Sequence, residues 1–146
     1  MLENLAFLRD GRSRRVSSWD RTGGNADAWA IAPGETKTLA EIEGAGVIRH
    51  IWFTVGAEDR MYLRQAVVRI YWDGQEHPSV EVPVGDFFGV GHARVNSYSC
   101  AVMNMSANAG ETIFSFHAAM NCYWPMPFAS RARITIENQS DKRIGA

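Results

Sequence analysis

The chain has 146 residues, which fits one domain, and 46% of them are hydrophobic, enough for a continuous core. Fifteen Lys and Arg against sixteen Asp and Glu leave a formal net charge of −1, which excludes the basic footprint of a nucleic-acid binder and a polybasic membrane patch. No segment approaches the roughly 20 apolar residues that span a bilayer.

At the N-terminus, Leu2, Leu5 and Leu8 suggest one or two turns of amphipathic helix ended by Gly11, so residues 1–12 read as a short helical or irregular lead-in to a single domain over 1–146. This stretch has no basic n-region, continuous apolar run or small-residue cleavage site, and the chain reads as cytoplasmic. Arg12, Arg14, Arg15 and Arg21 form the one basic concentration and read as a solvated loop. From Arg15 to Asp27 there is no periodicity, yet the segment holds Asp20, Asn25, Asp27, three hydroxyls and Gly23-Gly24. These polar groups either converge on the hydroxyls of a ligand, with Trp19 or Trp29 as a stacking platform, or tie off their own loop by bonds to the backbone.

Beyond the Pro33-Gly34 turn, the residues alternate or run apolar as strands do. Thr36–Ile42 and Val47–Val55 are predicted strands, expected to be neighbours. Glu58–Leu63 has room for a turn or two of helix before a strand over Gln65–Trp72. Asp73-Gly74 then turns the chain into a return strand in which Val80, Val82 and Val84 alternate with Ser79, Glu81 and Pro83. This hairpin delivers Asp86, Phe87 and Phe88 between Gly85 and Gly89. A carboxylate beside flat rings suits a carbohydrate, while the commoner role of such rings is to close the core. Ile113–Met120 is an ambiguous strand, and Ala132, Ile134 and Ile136 mark a clear one that stops at Asn138. Six or seven strands with Gly- and Pro-rich turns make an all-β fold, an antiparallel β-sandwich of jelly-roll type.

Cys100 and Cys122 are too few for a disulfide framework and lack zinc-site spacing, so they read as free, half-buried thiols. His50, His77, His92 and His117 are dispersed, with no metal and no cofactor implied. His50 reads as a partly buried, hydrogen-bonded imidazole sharing a strand face with Ile48 and Trp52. Ser17, Ser18 and Ser79 lack the setting of a nucleophile elbow.

Five blocks in order, Arg15–Asp27, Gly46–Thr54, Tyr71–Gly89, Tyr123–Phe128 and Ile134–Asn138, resemble glycoside hydrolase family 172, whose members include α-D-fructofuranosidases, difructose dianhydride I synthase/hydrolase and enzymes of D-arabinan. The resemblance implies two tandem β-jelly rolls per subunit, of which this chain supplies the first, in trimers or hexamers with active sites near subunit contacts. It also implies two catalytic glutamates in blocks reading Gly-Glu-Gly-Asp-Glu and Gly-Thr-Gly-Thr-Glu-Asp-Tyr, neither of which occurs here. Retaining hydrolysis needs two carboxyl groups about 5–5.5 Å apart. Glu41, Glu43, Glu76 and Glu81 read as surface residues, and Asp86 as a structural or substrate-contacting echo of the second block. No catalytic residue is therefore assigned.

Two functions remain open. The chain is part of a furanoside-acting hydrolase, with Asp20, Asn25, Asp27, Trp52, Asp86 and Phe87 as carbohydrate contacts, or it is an inert carbohydrate-binding or assembly module. In either case a homo-oligomer or a second jelly-roll half is expected to cover apolar surface that includes some of Phe87, Phe88, Trp124 and Phe128.

Overall fold

The computed structural model describes residues 7–8, 10–59, 61–107 and 118–146. Two antiparallel sheets face each other across one core. The first has the order β1-β12-β4-β9-β8-β7, where β1 is Ala30–Ile31, β4 Ile51–Ala57, β7 Tyr98–Ser99, β8 Met103–Ala107, β9 Ala118–Cys122 and β12 Ile144–Gly145. The second has the order β2-β11-β5-β6, with β2 Thr36–Glu43, β5 Ala66–Trp72, β6 Val80–Pro83 and β11 Arg131–Asn138. A separate ribbon pairs β3 (Gly46–Ile48) with β10 (Met126–Phe128), and two single-turn helices, α1 (Tyr62–Gln65) and α2 (Val84–Phe87), flank the β5–β6 hairpin. The fold is thus an all-β sandwich.

Strand alternation builds the core. Val68, Ile70, Ile134 and Ile136 from the second sheet meet Ile31, Ile51, Val55, Met105, Met120 and Ile144 from the first in one buried cluster. Phe88 closes it below α2, tilted against Phe53 at 5.6 Å and edge-on to Phe87 at 5.0 Å. Gly85 is needed at this corner, since a Cβ there would lie 2.9 Å from the carbonyl oxygen of Leu63 and 3.1 Å from that of Val90, both backbone atoms with little room to yield.

Asn138, fully buried at the end of β11, joins the sheets. Its Nδ2 donates to the carbonyl oxygens of Ile31 (3.0 Å) and Lys142 (2.7 Å), and its Oδ1 accepts from the Ser140 amide (3.0 Å) and hydroxyl (2.6 Å). Outside, the second sheet is laced by its own charges. Arg69 bridges Glu81 (2.8 Å) and Glu137 (2.6 Å), Arg133 lies 4.0 Å over Tyr71, and Arg131 pairs with Glu41 and Glu43.

The predicted strands over 65–72, 80–84 and 132–138 correspond to β5, β6 and β11, and the first two pair as expected. Several expectations need correction. Thr36–Ile42 and Val47–Val55 are not neighbours: β2 pairs with β11, whereas 47–55 is broken at Arg49-His50 into β3, which joins β10, and β4, which joins β9 and β12. The glycine-bounded loop at 85–89 is instead the helical turn α2, and the helix expected over 58–63 begins at Tyr62. Of the four aromatic residues expected to include bare surface, Trp124 is exposed and Phe87 half-buried, whereas Phe88 and Phe128 are buried, the latter stacked on Trp72 with ring centroids 6.2 Å apart; other exposed apolar residues include Trp19, Val47, Trp52 and Tyr123. Twelve strands occur among the described residues, not six or seven, because several are only two or three residues long. The expected helix at Leu2–Leu8 and most of the Ile113–Met120 strand lie outside the described residues, apart from the irregular 7–8 and from 118–120 in β9. Among the described residues no helix is long and apolar enough to cross a membrane.

Replacing Asn138 with Ala removes four side-chain hydrogen bonds, two of them to groups (the Ser140 hydroxyl and the Lys142 carbonyl) that still bond to each other, and is expected to cost about 3 kcal/mol in a urea titration. Tyr62 is 1% exposed and its hydroxyl has no hydrogen-bond partner among the described residues. Burial pushes its pKa up to about 12. An unfolded tyrosine ionises near about 10, so its contribution is present below that value and is lost as pH rises towards the folded one. Tyr62→Phe is expected to raise stability by about 1 kcal/mol at neutral pH and to flatten this alkaline decline, read from urea midpoints between pH 8 and 11.

Candidate functional site

The outward face of the first sheet carries the most distinctive surface chemistry of the described residues. Core-facing Ile51, Phe53 and Val55 on β4 leave Trp52 and Thr54 pointing out, and the same alternation on β9 and β8 turns out Asn121, Ala119, Asn104 and Ser106. Register aligns them in rows: Trp52, Asn121, Asn104 and Ser99 in one, Thr54, Ala119 and Ser106 in the next. His50 Nε2 lies 2.8 Å from Asn121 Oδ1, and Asn121 Nδ2 donates to Asn104 Oδ1 at 2.9 Å. The His50 ring stacks on Tyr123, 4.6 Å between centroids and 5° from parallel. Trp52 is 53% exposed at one end of the row and Tyr123 stands beside His50, so aromatic surface adjoins a row of amides, with Trp124 also exposed two residues after Cys122. His50 is exposed, not partly buried as expected, because it sits ahead of β4 on the outer face.

The other candidate residues lie elsewhere. Asp20 and Asp27 are brought together in a loop that closes on itself. Asp20 accepts from the Thr22 amide (2.9 Å) and hydroxyl (2.7 Å) and from the Ala26 amide (3.2 Å), while Asp27 accepts from the Asp20 amide (2.7 Å). The Thr22 hydroxyl, then its amide, hold the Asp20 carboxyl below its ordinary range. Asn25 sits in the same loop with φ of 62°, in the left-handed region. Asp86 pairs with Arg64 of α1, which also donates to the Gly91 carbonyl at 3.2 Å, so this carboxylate latches α2 to α1. Phe87 packs edge-on to Phe88, half-buried. No hydrogen bond or ring contact joins these groups to Trp52 among the described residues.

The carboxylates Asp20, Asp27, Glu35, Asp59 and Asp73 accept from backbone amides, and Glu41, Glu43, Glu81, Asp86 and Glu137 pair with arginines. Among the described residues, Asp10, Glu58, Glu76 and Asp141 are exposed. No group of three His, Cys, Asp or Glu suited to a metal occurs among the described residues. Both cysteines are free, Cys100 exposed and Cys122 buried. The Cys100 amide donates to Met103, which pairs across from Cys122. Two strand spacings, about 9–10 Å, therefore separate them, beyond the reach of a disulfide.

Asn104, Asn121 and Tyr123 escaped the sequence reading. Their signal is the alternation Met103-Asn104-Met105-Ser106 and Met120-Asn121-Cys122, polar on every second residue of an apolar run. Asp20→Ala is expected to open the 18–27 loop, seen as faster limited proteolysis there with little change in the global melting temperature. In the parent chain the loop is ordered above the ordinary carboxylate range and loosens as pH falls through the depressed Asp20 value.

A family model described as GH172 domain-like matches residues 23–146. No curated protein matches the chain. Residues 23–146 include the hairpin around Asp86, the Trp52 row and the Asn138 junction, and the chain belongs to the GH172 domain-like family.

Proposed function

We propose that this domain serves a glycoside hydrolase acting on α-D-fructofuranoside or D-arabinofuranoside linkages, contributing carbohydrate contacts and subunit contacts while the two catalytic carboxylates come from outside it. The observation that carries the reading is the Trp52–Asn121–Asn104 row. An exposed indole offers an apolar face to sugar C–H groups, and adjacent amides offer both donors and acceptors to hydroxyls. The carboxylates that bond to backbone or arginine are ill placed to exchange protons with a substrate, which favours catalysis by groups outside these residues.

A second reading has its own support: Trp52, Tyr123 and Trp124 are all exposed, and exposed aromatic side chains suit packing against another protein domain. In that case the domain is an inert assembly module.

Titration of the chain with methyl α-D-arabinofuranoside and methyl α-D-fructofuranoside, followed by NMR, separates the two. Saturable binding on the order of 1 mM, weakened about fivefold by Trp52→Ala, is the expected result. Absence of binding together with self-association that Trp52→Ala abolishes in sizing experiments supports the assembly module instead. Release of p-nitrophenol from the corresponding furanosides by the chain alone would overturn the placement of the catalytic pair elsewhere.

A further inference from the structure

We infer that the His50–Asn121–Asn104 chain is a specificity device that sets the Trp52 face to donate hydrogen bonds, so that it selects an uncharged ligand rich in acceptor oxygens. The inference rests on the carbohydrate reading of that face.

A surface asparagine can turn its amide at little cost and present either its oxygen or its nitrogen, and so discriminates poorly. Asn121 is engaged at both ends of its amide. In the orientation the structure records, its Oδ1 can only accept, so in the tautomer that completes the chain His50 Nε2, 2.8 Å away, carries a hydrogen and donates it. With the oxygen held there, the Asn121 nitrogen points along the row and donates to Asn104 Oδ1 at 2.9 Å. Asn104 is then fixed in its turn, its oxygen engaged and its Nδ2 hydrogens left at the end of the chain, beside Ser99 in the same row. No hydrogen bond joins those hydrogens to a described residue.

The starting point is anchored as well. The His50 ring is held parallel to Tyr123 at 4.6 Å, which restricts the tilt of the imidazole, and the bond to Asn121 favours the ring orientation that brings Nε2 to it. Apart from His50, every side chain in the two rows is uncharged: Trp52, Asn121, Asn104, Ser99, Thr54, Ala119 and Ser106. A carboxylated or phosphorylated ligand would find no fixed cation in those rows. Hydroxyl and ring oxygens would find the amide hydrogens.

Two substitutions separate the donor from the stack. His50→Phe keeps a flat ring on Tyr123 and removes the hydrogen; His50→Gln supplies an N–H and removes the ring. The expected result is that His50→Phe weakens binding of methyl α-D-arabinofuranoside about fivefold to tenfold, while His50→Gln stays within about twofold of the parent. The Asn121 and Asn104 side-chain amide resonances should shift in His50→Phe and return towards the parent positions in His50→Gln. Equal loss in both variants, or parental binding in His50→Phe, overturns the inference. If the parent chain binds no furanoside the carbohydrate reading fails, and the amide resonances still decide whether His50 orders the row: unchanged signals in His50→Phe refute the chain of donors, and shifted signals restored by Gln uphold it.

Discussion

A sandwich has to hold two sheets in one relative position, and apolar packing alone, being non-directional, permits sliding. Asn138 supplies the direction. Its backbone belongs to the β11 end of the second sheet, bonding to Glu35 and Gly34 beside β2, while its side chain reaches Ile31 in β1 and Lys142 just before β12 of the first. Four polar atoms meet it in a site without solvent, where an unmet bond is costly and a misplaced register would leave several unmet at once. The terminal residues follow: Ile144 can pair with Ile31 and Ala57, and Ala146 with Trp29, because the chain is delivered to that edge at this angle.

The sandwich that results has two chemically unequal outer faces. On the second sheet, Arg69, Arg131 and Arg133 are engaged by their own neighbours, and Glu137 is held below its ordinary range chiefly by the Arg69 hydrogen bond. Such a face is content with water. On the first sheet, charge gives way to aromatic rings and amides, whose hydrogen-bonding capacity is directional and whose flat surfaces gain from being covered. The difference in side chains, laid on the same backbone pattern, is what the proposed contact face rests on.

How much of this could be read from the residues varies with the physics involved. β5, β6 and β11 were legible because each turns its apolar side chains mainly to one face, and period-2 alternation records that directly, Val67 and Thr135 being buried exceptions on the other face. The break between β3 and β4 was not, since Val47–Val55 is apolar or aromatic almost throughout and the interruption at Arg49-His50 comes from β3 pairing with β10, a tertiary event. Nor was α2, a single turn made of Val84, Gly85, Asp86 and Phe87, residues with no helical bias, shaped by the close fit of Gly85 against Leu63 and Val90. Asp20 and Asp27 were visible as a loop cluster, but whether they serve a ligand or their own backbone was a question of geometry. The His50–Asn121 contact spans 71 positions and becomes visible only once β4 and β9 are set side by side.

Strand β2 stands at the edge of its sheet, and its pairing with β11 slips by one residue at Leu39 between Thr38 and Ala40. A bulge of this kind coils the strand and disturbs the even spacing of its outward-facing amides and carbonyls. With Lys37, Glu41 and Glu43 along the same strand, that edge is a poor template for a further strand from another molecule. That edge is thereby kept from extending sideways into a continuous sheet, a common route to aggregation for β-rich chains.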